Sequence, residues 1–343
     1  MVRVGLIGAG FIGRNHFNQY QKLGDRAKIV ALCDIEADRR SGDWTKVGGN
    51  VADAQGRRQD LGDIRQYADW KELVADPDVD MVDICAPTFL HKDMAIAALK
   101  AGKHVLSEKP MALDVKQCDE MLATAGKARG KFMIAQCIRF WPECVYVKDA
   151  LADKRFGPLK ALHLRRQAAV PDYSWKNWIV NPKLSGGAAL DLHVHDTDYA
   201  LFLLGKPKAV TAQGYKRTGG GVDRLHALWE YRKGLVVQLE GFWDMPPGFG
   251  FNMGFTAVFE KAAIVYDLAS GRPLTVYKWD GQSEVPTLSK DDGYFNEIRY
   301  FLECVEQNRK PKISTPQASR DAVALALAEV KSALAGGKRV AIR

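Results

Sequence analysis

Short apolar runs alternate with helical periodicities through the first third of the chain. Val4–Ile7, Ile29–Cys33, Met81–Ala86, His104–Leu106 and Phe132–Ala135 are dominated by apolar residues. Runs of this length and composition read as strands buried on both faces. Between them, helical patterns extend from about Ile12 to Leu23, from Met94 to Ala101 and from Asp114 to Ala128. This β-α-β alternation predicts an α/β domain built on a doubly wound parallel sheet, with right-handed crossovers. One stretch breaks the pattern. Asp34 to Asp69 is polar and glycine-rich, and is expected to be an exposed excursion with a short helix.

After Ile138 the period falls to two. "LKALHLRRQ", "AVTAQGYKR", "LHALWEYRKGLVVQLEGFW", "FTAVFEKAAIVYDL" and "LTVYKW" alternate in polarity and are joined by short turns. They predict antiparallel strands that are half-buried on one face. Helices are expected from about Asp291 to Gln307 and from Pro316 to Leu334. The reading is therefore two domains: residues 1–137, doubly wound, and residues 138–343, α+β with a large open, mostly antiparallel sheet. An open sheet face calls for a cover, so a homodimer or homotetramer through that sheet is expected.

Composition narrows the function classes. At 343 residues, 47% hydrophobic and 26% charged, the chain has material for two packed cores. No stretch approaches the ~18 consecutive apolar residues of a membrane span, so no membrane partner is expected. The net charge of +8 is spread along the chain without a long Lys/Arg run. That argues against nucleic acid as a partner but suits an anionic cofactor. The six cysteines form no C-x-x-C pair and read as buried reduced thiols. The chain opens on a strand rather than a secretory apolar region, which gives a cytoplasmic expectation.

The chemistry begins at "VGLIGAGFIGRNH". Gly8, Gly10 and Gly13 follow a predicted strand and open a helix, with Phe11 and Ile12 inside the loop. In that context the spacing reads as a dinucleotide-binding turn, with the pyrophosphate at the helix N-terminus. Asp34 ends the next strand about 20 residues on, where a carboxylate binds the adenosine ribose hydroxyls. This favours NAD. NADP stays as the alternative, because Arg39 and Arg40 could fold back onto a 2′-phosphate. Further on, "GKHVLSEKP" ends a strand with Glu108, Lys109 and Pro110. Strand C-termini are where open α/β sheets bind ligands. A lysine there can polarise a carbonyl oxygen; a lone lysine would be read as surface.

These motifs, in order with "APTFLHKDMAIAALKAGKHVLSEKP" and "SGGAALDLHVHDTDYALFLLG", resemble the glucose–fructose oxidoreductase/inositol dehydrogenase (Gfo/Idh/MocA) family. The likeness extends to the ending, "DGYFNEIRYFLECVE…KPKISTPQASRDAVALALA". It implies a Rossmann domain, an open-sheet domain, and hydride transfer between NAD(P) and a hydroxyl carbon of a sugar, cyclitol or related polyol. It places the family's lysine at Lys109, with a cis bond to Pro110, and its D-x-x-x-H pair at Asp191 and His195. It puts Arg139 in a usual place, and Gln136 where many relatives carry asparagine.

The polar helix holds Asp191, His193, His195, Asp196 and Asp198. On a regular helix Asp191 and His195 share a face, while His193 points roughly 200° round. A metal pair at His193 and His195 is therefore disfavoured, and no metal is expected. Imidazole titrates near neutrality and can exchange a hydroxyl proton. Asp191 can orient sugar hydroxyls, and Lys109 can stabilise the developing oxygen charge. Lys109 and His195 stay open as alternatives for the immediate proton acceptor. His193, Asp196 and Asp198 read as structural. Pro87, Thr88, His91, Glu108, Lys109, Gln136 and Arg139 join the glycine loop and Asp34 as cofactor candidates. Tyr173 and Trp175 offer aromatic faces to a sugar ring, alongside Lys109, Asp191 and His195. Rival readings are a glycoside-cleaving enzyme with transient redox, and a non-catalytic NAD sensor.

Overall fold

The computed structural model describes all residues except 50–55, 218–219 and 232–233. The chain divides into two compact units. The first comprises Met1–Cys137, Tyr173–Trp178 and Gly293–Arg320; the second comprises Ile138–Asp172, Ile179–Asp292 and Asp321–Arg343. The sequence reading divides the chain once, after residue 137, whereas two later segments belong to the first unit. Apolar burial explains the longer of the two. In the helix Gly293–Glu306, Ile298, Phe301, Leu302 and Cys304 share one hydrophobic cluster with Leu6, Phe17 and Leu32.

The first unit is built on six parallel strands: β1 (Val2–Ile7), β2 (Ala27–Cys33), β3 (Arg65–Tyr67), β4 (Met81–Ile84), β5 (His104–Glu108) and β6 (Phe132–Ala135). Their order, β3-β2-β1-β4-β5-β6, reverses direction beside β1. Ligands of such sheets sit at that switch point, beyond the carboxyl ends of the strands. β3 has no sequence signal, because its three residues are polar and mostly exposed. It is defined by backbone pairing with β2 alone.

The Asp34–Asp69 excursion is only partly the exposed loop that its polarity suggests. Its short helix is Ala37–Arg40. Trp44, Val47 and Leu61, however, are buried in the main cluster of the unit. The Trp44 ring meets Phe17 edge-on at 5.0 Å, and its indole N–H donates to the Arg39 carbonyl at 2.8 Å. One large aromatic anchors a stretch whose composition is otherwise that of a loop.

Among the described residues the second unit carries nine strands: β7 (Leu159–Ala169), β8 (Ala209–Tyr215), β9 (Arg224–Glu230), β10 (Val236–Met245), β11 (Phe251–Phe259), β12 (Ala262–Asp267), β13 (Arg272–Lys278), β14 (Ser283–Glu284) and β15 (Val340–Ala341). The order is β14-β13-β12-β11-β7-β10-β9-β8-β15. β7 and β10 pair in parallel; the other neighbours named here are antiparallel. Alternation sets the two faces. Leu162 and Leu164 are buried between half-buried Ala161, His163 and Arg165. Leu228, Val236 and Tyr277 remain exposed on strands of this sheet. Among the described residues, no helix is long and apolar enough to cross a membrane.

Candidate active site

In the first unit, the glycine loop joins β1 to the helix Phe11–Gln21, with Gly10 as its N-cap. Gly8 has φ +94°, a conformation that β-carbons disfavour. A β-carbon at Gly13 would overlap the Gly8 carbonyl oxygen, so the helix can pack this closely only without one. The Asp34 carboxylate is set at the end of β2. Its Oδ2 accepts the Ala9 N–H at 2.8 Å, and its Oδ1 accepts the Glu36 N–H at 2.9 Å. Each oxygen keeps a lone pair for a further donor. Arg40 has folded back, donating to the Asp34 carbonyl at 2.8 Å. The Arg39 guanidinium lies 3.8 Å from where a Gly10 β-carbon would sit.

At the same carboxyl edge of the sheet, the Lys109–Pro110 peptide bond is cis, as the resemblance implies. Lys109 is half-buried, and its N–H donates to the Glu108 carboxylate at 3.0 Å. His91 clasps two backbone segments. Its ring nitrogens each lie 2.8 Å from a carbonyl oxygen, Nδ1 from Pro110 and Nε2 from Ala86. Burial pushes the ring below the ordinary histidine value despite those carbonyls. The expected contact of His91 with cofactor therefore gives way to a clasp between the loops after β4 and β5. Thr88 and Glu108 are buried and Pro87 is half-buried at the start of the helix Thr88–Lys100. That helix begins earlier than its periodicity suggests, because Thr88 and His91 are polar yet internal.

Gln136 follows β6 and is 1% exposed; neither polar atom of its side-chain amide finds a hydrogen-bond partner among the described residues. An unpartnered buried amide costs roughly 1–3 kcal/mol per group. Together with the glycine turn and the open Asp34 lone pairs, it fits a dinucleotide bearing hydroxyls and a carboxamide. Tyr173 and Trp175 also belong to the first unit. Tyr173 meets the Phe11 ring at 6.1 Å, and the Trp175 indole donates to Glu36 at 2.7 Å. Both aromatics thus lie beside the glycine loop and the end of β2.

In the second unit, the polar helix is not regular. Ala189–His193 is a π-helical turn, and the α-helix proper is Val194–Leu204. Such turns concentrate at functional sites. Ideal periodicity does not apply across this junction, so burial is the better guide. Asp196 and Asp198 are buried, and each is held by an arginine. Arg166 reaches Asp196 with two contacts of 3.1 Å. Arg139 grips Asp198 with two of 2.7 Å. Arg139 is therefore tied to Asp198 within the second unit. His193 is fully buried, with Nε2 3.1 Å from Glu329, which also takes the Trp229 indole N–H. Burial lowers the His193 value, but Glu329 outweighs it and the net shift is upward. Asp191 and His195 differ from the other three: both are half-buried.

The comparisons agree with this geometry. Residues 2–136 match the family model described as an oxidoreductase family with an NAD-binding Rossmann fold, and residues 144–265 match the C-terminal domain of the same family. The chain belongs to the Gfo/Idh/MocA family. This family member is an NAD-binding oxidoreductase. It is 26% identical over 330 residues to a myo-inositol 2-dehydrogenase of Thermotoga maritima, covering 91% of each chain. It is 27% identical to a 1,5-anhydro-D-fructose reductase of Ensifer adhaerens, covering 98% of this chain and 97% of that one. Its fold matches a levoglucosan dehydrogenase solved with NADH and levoglucosan, with a TM-score of 0.83 at 20% identity over 99% of each chain.

Proposed function

We propose that the protein is a dehydrogenase or reductase acting on a CH–OH carbon of a sugar, cyclitol or related polyol. The observation that carries this reading is the sorting of the polar helix. Three of its five ionisable side chains are buried against partners in the core, whereas Asp191 and His195 stay half-buried. The relatives named for inositol and anhydro-sugar substrates support the substrate class.

Gly8, Gly10, Phe11, Ile12 and Gly13 would hold the dinucleotide phosphates, and Asp34 the adenosine ribose. Gln136 would pair with the carboxamide, and Thr88 and Glu108 belong to the same end of the sheet. When bound, the nicotinamide supplies the hydride acceptor or donor. Asp191 orients the polyol by accepting hydrogen bonds from its hydroxyls. His195 or Lys109 takes the hydroxyl proton, which makes loss of hydride from that carbon feasible. The Lys109 ammonium stabilises the negative charge that develops on the oxygen. Asp34 favours NAD. Arg39, beside the glycine loop, keeps NADP as the cofactor to test against it. Six buried free thiols suit a reducing cytoplasm, and the exposed sheet residues suit self-association into a homodimer or homotetramer.

The test is absorbance of reduced nicotinamide across a panel of cyclitols, sugars and keto-sugars, with NAD and NADP in parallel. Turnover on a polyol is expected, with kcat lowered about 10²–10³-fold in Lys109→Ala and NAD binding retained. Full activity in that variant overturns the assignment of Lys109. Tight NAD binding without turnover on any member overturns the dehydrogenase reading.

A further inference from the structure

A buried polar chain in the first unit ends at Lys109. His16 lies on the helix that opens from the glycine loop, and it is fully buried. Its Nδ1 is 2.9 Å from Asp83 Oδ2 and its Nε2 is 3.1 Å from Glu108 Oε1, the second contact being an ion-pair approach without hydrogen-bond alignment. Asp83 sits within β4, fully buried where an apolar residue would be expected, and also accepts the Tyr20 hydroxyl at 2.9 Å. The other oxygen of Glu108, Oε2, accepts the Lys109 N–H at 3.0 Å.

A neutral imidazole has one donor and one acceptor. Both nitrogens of His16 face carboxylate oxygens, which accept. Only the doubly protonated ring can donate toward both. It also offsets the several kcal/mol that an unpaired buried carboxylate costs. The remaining groups around the ring are Cys85, with Sγ 3.4 Å from Nδ1, Glu297, and Tyr294 at 6.3 Å between ring centres. Burial opposes the ring's charge, but Cys85 and Asp83 outweigh it, and His16 lies well above the ordinary histidine range. Burial and Asp83 push the Cys85 thiol up, while His16 opposes that shift. His16, Asp83 and Cys85, or His16, Glu108 and Glu297, are close enough to suggest a metal. The hydrogen bond to Asp83 and the ion-pair approach of Glu108 favour a charged ring between carboxylates instead.

We propose that His16, held as an imidazolium between Asp83 and Glu108, is the positioning residue for Lys109. It fixes the Glu108 carboxylate, which fixes the backbone N–H of the lysine. The helix that begins at the cofactor loop is thereby coupled to the residue that polarises the substrate oxygen. This role rests on the reading of Lys109 given above.

Two measurements on the full chain separate the proposals. The first is the ¹⁵N-imidazole NMR spectrum from pH 6 to 9, with the His16 signal assigned by its loss in His16→Gln. Both nitrogens are expected to stay protonated across the range, and to titrate lower in Glu108→Gln. A neutral tautomer at pH 7.5 in the native protein overturns the clamp. The second is turnover on whichever polyol the panel identifies. His16→Gln is expected to lower kcat about 10–100-fold, to leave KM for the dinucleotide within about twofold, and to cost nothing further in a Lys109→Ala background. Losses that multiply in the double variant overturn positioning through Lys109. Full activity in Lys109→Ala overturns the lysine reading and the positioning role together, while the spectrum still decides whether His16 is the paired imidazolium. If His16→Gln does not fold, His16→Asn serves for both the assignment and the kinetics.

Discussion

Both units bury ionisable side chains, but they do so differently. In the second unit the buried charges pair off locally: Arg139 with Asp198, Arg166 with Asp196, His193 with Glu329. Each of these contacts lies within the second unit. In the first unit the buried groups form a chain, Tyr20–Asp83–His16–Glu108, whose last member holds the backbone of Lys109. A pair of this kind serves the core that contains it. A chain that ends on a half-buried lysine can transmit geometry to chemistry. On the proposed role of Lys109, the difference separates buried charge that stabilises the fold from buried charge that sets up a reaction.

The sharpest way to break this comparison is at the two half-buried members of the polar helix. His195→Gln should lower kcat by about 10²–10⁴-fold. Its urea midpoint should stay near that of the parent, because surface and half-exposed sites usually move stability by no more than about 0.5 kcal/mol. Asp191→Asn should weaken turnover in the same sense. A large fall in stability with kcat preserved would make this pair structural as well, and the distinction within the helix would be lost.

The converse test is Arg139. Removing one partner of a buried pair strands the other charge, at about 3–5 kcal/mol. Arg139→Ala should therefore lower the unfolding free energy strongly, measured by urea titration. NAD affinity of the folded fraction should stay within about threefold of the parent, a change of less than 1 kcal/mol. A combined Arg139→Met, Asp198→Leu variant should recover most of the stability, because an apolar pair of similar volume carries no stranded charge. If instead Arg139→Ala loses NAD binding and keeps its stability, Arg139 returns to the cofactor site.

Arg139 also marks the limit of what could be read from the chain. The parallel sheet, the alternating second sheet and the glycine turn were legible because each rests on a local period or spacing. Lys109 and the pairing of Asp191 with His195 are proposals that rest on motif order. The partner of Arg139 was not legible, because Asp198 lies 59 positions away and no local pattern joins them. The same holds for His91, whose ring spans 19 positions to the Pro110 carbonyl, and for the whole His16 chain. Asp83 was the one available clue: a carboxylate inside an otherwise apolar strand needs a partner. β3 and the role of Trp44 were lost to composition, since a polar edge strand and a single aromatic in a glycine-rich stretch leave little periodicity to detect.

A smaller effect distinguishes the pair at His193. Its folded-state value is raised above the ordinary 6.5, so the charged ring stabilises the fold fully below about pH 6.5. That contribution is lost as pH rises through the higher folded value. The unfolding free energy of the native protein should therefore decline from pH 6 to pH 9 relative to that of His193→Gln, measured by chemical denaturation at each pH. Turnover per folded molecule should not follow this decline. If it does, His193 belongs with the reaction rather than with the core.

The smallest energetic effect is expected on the exposed face of the second sheet. Leu228 and Val236 are 53% and 59% exposed on adjacent strands. Substituting each with lysine should change the stability of the folded chain by no more than about 0.5 kcal/mol. An exposed apolar sheet surface is nevertheless a common site of self-association. If copies of the chain cover it, the double lysine variant places like charges in the interface and should sediment at a lower mass than the parent. Neither substitution touches the buried pairs, so the ion-pair stabilities measured at Arg139 should be unchanged in the variant. An unchanged mass would show that this face is not what joins the copies.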